Sequence, residues 1–256
     1  MRQLTALLRK EWMELIRTGK LVLLITIFIL FGIMNPAIAK LTPWLMSLFA
    51  ETLAESGMAI TEVEVTALTS WTQFYKNIPM ALILFLLIFS GTLTNEYQKG
   101  TLVNLLTKGM SRWNVIAAKT VTVIALWSVC YWLCYGITYC YTVYFWDNSI
   151  VLHPHFAALC MYLAGVWLIS LLLLCSALFS SGSAVLAGTA ILFAVFYLAG
   201  LLPPIKEYLP AQLLTSQSLL FGAETLSDYQ KALWITGLLS FGSILGAVWC
   251  FNRKAL

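Results

Sequence analysis

Apolar residues dominate the chain in six runs: Leu21–Ala39, Ile78–Thr94, Thr120–Trp146, Phe156–Phe179, Ala184–Leu202 and Ala232–Phe251. A helix needs roughly 20 apolar residues to cross the hydrocarbon core of a bilayer. Each run approaches or exceeds that length, so six transmembrane helices are predicted. What remains is too short and scattered for a soluble catalytic domain. The expectation is one all-α polytopic membrane domain over residues 1–256.

Outside the runs the pattern changes to helical spacing. In residues 1–20, Leu4, Leu7, Leu8, Trp12, Leu15 and Ile16 share one face, and Arg2, Arg9, Lys10, Glu14 and Arg17 share the other. A basic amphipathic helix carrying a Trp lies in the headgroup plane. Gly19 is placed to stop it. A plain anchor fits this pattern, and so does an elbow that also meets a cytoplasmic partner. Residues 40–77 predict two more amphipathic helices on the outer leaflet. The first starts at Thr42 and Pro43, with Leu41, Trp44, Leu45, Leu48, Phe49 and Leu53 as its stripe. The second is capped by Thr61 with Glu64 three residues on, and carries Val65, Leu68, Trp71 and Tyr75. The glutamates of the two helices fit a solvated face, and also a cationic substrate. The last polar segment, broken at Pro203, Pro204 and Pro210, has an apolar interior. It is expected to dip into the outer leaflet, covered by protein or lining a pathway mouth.

Residues 95–119, NEYQKGTLVNLLTKGMSRWNVIAAK, form a compact polar insert between two greasy runs. Glu96 stands at a membrane boundary, where a lone carboxylate needs a partner. Gly100 permits a bend or close backbone approach. TLVNLL reads as a short helix capped by Thr101, with Leu102, Leu105 and Leu106 on one face. Gly109 ends it and Ser111 caps the return to the bilayer. Lys99, Lys108 and Arg112 flank this helix.

Composition agrees with a membrane chain: 61% of residues are hydrophobic and 10% charged, where soluble domains carry about a quarter charged. Positive charge collects on the cytoplasmic side. With six spans, eleven of the fifteen Lys and Arg fall on the side that holds both termini and the insert, and most acidic residues fall opposite. Both termini are therefore expected in the cytoplasm, with the chain multi-pass in its membrane. The basic start, apolar run and Ala37–Ala39 imitate a cleaved signal peptide, but the amphipathic helix ahead of the run favours retention.

The six cysteines sit in or at the edge of spans and imply no disulfide framework. Cys130 and Cys134 share a helix face, and His153 and His155 flank Pro154, yet neither pair has further ligands, so no metal is expected. A serine protease needs Ser and His at matching depth. Ser183 follows Gly182, but both histidines lie in the opposite loop. The spans carry no ionisable residue in mid-membrane, which argues against proton- or sodium-driven transport and against voltage sensing. Gly242 and Gly246 form a GxxxG pattern, compatible with internal packing and with a dimer face. Trp127, Tyr131, Trp132, Tyr135 and Tyr139 suit an amphipathic ligand, or packing toward lipid.

The insert, read as E-Y-Q-K-G-T-L-x-x-L-L-T-x-x-x-S-R-W-x-x-x-x-A-K, resembles the first cytoplasmic loop of ABC-2-type permeases, the membrane subunits of ATP-binding-cassette exporters. LLRKEWMELIRTGK resembles their N-terminal elbow. The resemblance implies two six-span subunits, identical or paralogous, around a pathway, above a dimer of ATPase subunits. No Walker A pattern occurs in the chain, so ATP and Mg are expected in a separate ATPase, with no cofactor or catalytic residue here. The insert would be the coupling helix. Glu96, Lys99, Gly100, Thr101, Leu102, Leu105 and Arg112 would carry the coupling. Glu96 would latch to the elbow (Arg9, Lys10, Trp12), through Arg9 or Lys10, and the others would form the docking surface. Ser180, Ser181, Gly182 and Ser183 would be a second cytoplasmic contact. The implied function is export of an amphipathic or hydrophobic substrate, such as an antimicrobial peptide, drug or lipid, by alternating access. A non-transporting scaffold, immunity or sensor component is the other reading, and a secondary transporter a third.

Overall fold

The computed structural model describes residues 2–55, 64–102, 107 and 109–254. Among the described residues, six helices are long and apolar enough to cross a membrane, and each overlaps one of the six expected spans. A short first helix, α1 (Arg2–Arg17), precedes them. Gly19, at φ +70°, separates it from α2 (Lys20–Glu55), so the glycine stops the helix as expected. Then follow α3 (Ala67–Phe89), α4 (Thr94–Gln98), α5 (Arg112–Phe145), α6 (Pro154–Leu178), α7 (Gly182–Ala199), α8 (Ala211–Leu214) and α9 (Leu226–Arg253).

The two outer-leaflet helices expected in residues 40–77 are not separate elements. α2 continues through Pro36 and Pro43 to Glu55. The Thr42 hydroxyl does not cap a new helix; it donates back to the Ile38 carbonyl at 2.8 Å. Ala37–Ala39 therefore lie mid-helix. A proline removes one N–H and strands the carbonyl four residues earlier. For Pro36 that carbonyl belongs to Gly32, and the Thr138 hydroxyl of α5 donates to it at 3.1 Å. Gly32 permits the approach, since a Cβ there would meet Ile137 at 3.0 Å. Asn35 Nδ2 donates to the Thr138 hydroxyl (3.0 Å) and Asn77 Nδ2 to Asn35 Oδ1 (2.8 Å), which ties α3 into the same network. The proposed Thr61 cap lies outside the described residues. The described cap is Thr66, whose N–H donates to Thr69 Oγ1, and Leu68, Trp71 and Tyr75 belong to the N-terminal end of α3.

The interior is aromatic. Trp71, Phe74, Phe85, Trp127, Tyr131 and Trp167 are fully buried among α3, α5 and α6. Trp127 crosses directly over Gly165 of α6; a Cβ there would lie 2.3 Å from the indole. The aromatic stripe of α5 thus chiefly builds the core: Trp127, Tyr131 and Tyr135 are buried, and Trp132 is its exposed member. Tyr135 also bonds His155 Nδ1 at 2.8 Å. The GxxxG pair divides. Gly246 lies against Leu174 of α6, within the chain, and Gly242 faces open space. No cysteine among the described residues forms a disulfide.

The segment after α7 folds back into the bundle. Leu213, Ser216, Leu219 and Leu220 are buried, and Gln217 donates to Thr72 of α3 at 3.1 Å. It shares one end of the bundle with residues 146–153, through the Leu152–Leu220 hydrogen bond, and Trp71 of α3 donates to Asn148 there. The opposite end gathers α1, α4, the α6–α7 turn and the C-terminal end of α9. A second, smaller apolar cluster sits there, built from Leu7, Leu93, Leu102, Val115, Ile116, Ala177, Val248 and Phe251. α7 is the least covered span. An apolar groove of about 520 Å³ separates it from α3, lined by Pro79, Leu82, Leu86, Leu168, Ala190 and Phe193.

Candidate functional site

The insert leaves the bundle through a turn after Ser90. α4 ends at Lys99, and Gly100, at φ +66°, donates its N–H to the Tyr97 carbonyl at 3.1 Å. This left-handed residue reverses the chain, as the sequence suggests. Thr101 and Leu102 are helical. The Thr101 hydroxyl donates back to the Glu96 carbonyl at 3.2 Å, and the N–H groups it would cap lie outside the described residues. Gly109 adopts φ +82°, and the Ser111 hydroxyl caps α5 by accepting from the Asn114 N–H at 3.3 Å. Leu105 and Lys108 lie outside the described residues.

Four charged side chains meet where α1 crosses the roots of α4 and α5. Glu96, Glu11 and Lys119 are 8%, 9% and 2% exposed. Lys119 Nζ donates to both Glu11 oxygens (3.0 and 3.2 Å) and pairs with Glu96 Oε1 at 3.1 Å. Lys10 Nζ bonds the same Glu96 oxygen and reaches Glu11 (3.1 Å) and Glu14 (3.4 Å). An isolated buried charge is too costly to persist, whereas two lysines facing two buried carboxylates neutralise each other. Burial works against the Lys10 charge, but hydrogen bonding and attraction from Glu96 and Glu11 outweigh it and hold its pKa above the ordinary lysine value.

A polar cavity of about 40 Å³ opens beside the cluster, lined by Glu11, Glu14, Lys20, Asn95, Glu96 and Lys119. It is roomy enough for water next to Glu96 Oε2, which has no hydrogen-bond partner among the described residues. The carboxylates of Glu11, Glu14 and Glu96 lie close enough to share a cation. Lys10 contacts all three, so the chain supplies that charge itself.

Of the two partners expected for Glu96, Lys10 is the one that binds it, while Arg9 is exposed. Trp12 also faces outward, at 36% exposure. Glu11 and Lys119 are functional candidates that the sequence reading missed. A signal was present: Glu11 continues the stripe of Leu4, Leu7, Leu8 and Leu15, so it belongs to the buried face rather than the polar one.

Asn95, Gln98, Lys99 and Thr101 are exposed along the insert, and Ser180 and Ser183 are exposed in the α6–α7 turn. The two surfaces adjoin: Gln98 Nε2 donates to the Ser180 carbonyl at 3.1 Å. Ser181 caps α7 by accepting from the Ala184 N–H, and Gly182 opens that helix. Two residues expected on the docking surface turn inward. Leu102 is fully buried in the smaller apolar cluster. Arg112 Nη1 contacts the carbonyls of Phe251 (2.8 Å), Asn252 (3.0 Å) and Lys254 (2.8 Å) at the end of α9.

Comparison with known proteins matches residues 5–219 to the family described as ABC-2 family transporter protein. The chain is also 24% identical to the uncharacterized transmembrane protein YxlG of Bacillus subtilis (strain 168), over 99% of this chain and 98% of that one. No solved structure matches at a significant level. The family match runs from α1 into the turns after α8, through the whole charged cluster. The chain belongs to the ABC-2 family of transporter proteins, as a multi-pass membrane component of an ABC transporter.

Proposed function

We propose that the chain is the permease subunit of an ATP-driven exporter, with both termini and the insert in the cytoplasm. A separate ATPase dimer, binding ATP and Mg, docks on the insert. A second permease subunit, identical or paralogous, completes the pathway. An amphipathic or hydrophobic substrate (peptide, drug or lipid) crosses by alternating access.

The observation that carries this reading is the buried Glu96–Lys10–Lys119–Glu11 cluster. A loop that served only as a connector needs no such anchorage. Here the root of the exposed segment is locked to α1 and α5 at once, so a push on Lys99, Gly100 and Thr101 reaches two helices. α1 then acts as an elbow, and Ser180–Ser183, beside Gln98, as a secondary contact. Leu105 is assigned to the docking face on sequence alone. Leu102 and Arg112 hold the insert to the bundle from within.

The test is reconstitution of the chain with an ABC ATPase subunit from the same cell. The ATPase should co-purify, and its hydrolysis should respond to the permease. Glu96→Gln and Gly100→Ala should each uncouple hydrolysis from transport severalfold. Unchanged coupling in both variants would remove the insert from the mechanism. Absence of any effect on hydrolysis by the wild-type chain would favour a passive scaffold or sensor.

A further inference from the structure

The junction between the insert and the end of α9 lies apart from the charged cluster. Arg112 is the first residue of α5, where the helix dipole disfavours a cation. The last carbonyls of α9 have no partners within their own helix. Arg112 answers both problems by placing Nη1 against Phe251, Asn252 and Lys254. Lys254 repeats the arrangement one helix further on. Its ammonium donates to the carbonyls of Phe179 (2.9 Å) and Leu178 (3.4 Å), at the end of α6, and lies 4.6 Å from the centre of the Tyr97 ring in α4.

We infer that the C-terminal end of α9 is a second transmission point, in which Arg112 and Lys254 are positioning residues that fasten the insert to the α6–α9 pair. This rests on the coupling role proposed for the insert. The ion pairs of the charged cluster, among the described residues, tie the insert to α1 and α5. The C-terminal junction holds both borders of the same insert, through Tyr97 and Arg112, to the ends of α6 and α9. The apolar cluster beneath it joins Leu93 and Leu102 to Ala177, Val248 and Phe251, so the junction has a packed floor. α6 and α9 lie close, with Leu174 against Gly246, and move as a pair. Displacement of the insert thereby divides between two pairs of helices, α1 with α5 and α6 with α9.

Hydrogen exchange on the complex with its ATPase in lipid nanodiscs tests this, comparing the nucleotide-free state with ATP plus vanadate. The wild type should show an ATP-driven change in residues 94–111, in α1 and α5, and at residues 226–235 at the far end of α9. In complexes that still co-purify, Arg112→Ala and Lys254→Ala should lose the change at 226–235 and keep it in α1 and α5. Arg112→Lys, which can still donate to a carbonyl, should recover part of it. A merely structural role would raise exchange in both states and leave the ATP-driven difference in place. An undiminished difference at 226–235 in both alanine variants overturns the inference. Should Arg112→Ala fail to fold, Lys254→Ala decides alone. If the wild type shows no change within 94–111 itself, the coupling role of the insert has failed, and this inference falls with it.

Discussion

Thr138 of α5 donates its hydroxyl to the Gly32 carbonyl of α2, the group that Pro36 leaves without an N–H. One side chain repairs a helix more than a hundred residues away in sequence. It also accepts from Asn35, which in turn accepts from Asn77 of α3. Thr138→Val keeps the shape and removes the repair. Single interhelical hydrogen bonds in membranes average about 0.6 kcal/mol, and a stranded buried group adds about 1–3 kcal/mol. The expected loss is about 2–4 kcal/mol, read as a lower midpoint in thermal unfolding in mild detergent. Thr138→Ser should stay close to wild type.

Lys119→Met tests the charged cluster. It leaves Glu11 and Glu96 buried with Lys10 as their remaining cation, itself partly exposed. Breaking one side of a buried ion pair costs about 3–5 kcal/mol, and partial exposure of Lys10 places the expectation at the lower end. Adding Glu11→Gln should restore part of the loss, because it removes the orphaned charge. A double variant no better than Lys119→Met would show that the damage lies in packing instead.

Gly165→Ala drives a methyl group into the Trp127 ring, and both partners are fixed within helices. Overpacking of this kind costs about 1–3 kcal/mol. The loss should appear in thermal unfolding and shrink when Trp127→Leu is combined with it. Additive losses would mean that the two sites do not share one constraint.

Gly100→Ala meets no neighbour among the described residues, since none lies within 4 Å of its Cβ position. Its penalty is conformational, about 1–2 kcal/mol for an L-residue in the left-handed region. Gly100→Asn, which tolerates that region, should lose less coupling than Gly100→Ala in the ATPase assay. Equal losses would point to a side-chain clash with the docked ATPase rather than to backbone strain.

The six spans were legible because a long apolar run has no other use in a chain this poor in charge. The turns at Gly19, Gly100 and Gly109 and the cap at Ser111 were legible because each rests on local backbone chemistry. The continuity of α2 was not. Thr42–Pro43 is a sound local start signal, and it is overruled by the helix already running into it. The repair that lets the helix pass Pro36 comes from Thr138, which no window on α2 contains. Glu11 was hidden for a similar reason. A charge is assigned to the polar face until its buried partner is known, and Lys119 is 108 residues away. Leu102 and Arg112 read as surface residues because their partners belong to other elements, the apolar cluster and the end of α9.

The length of α2 carries its own consequence. At about 1.5 Å per residue, its 36 residues measure roughly 54 Å. The apolar part, Lys20–Leu48, is already longer than a hydrocarbon core of about 30 Å. Leu41, Trp44 and Leu48 stay exposed along its outer stretch. Such a helix must lean, or thicken the lipid around it, and the free energy of either choice depends on acyl-chain length. α2 thus makes the protein a gauge of its membrane: a thicker bilayer favours the upright helix, and a thinner one drives it to tilt.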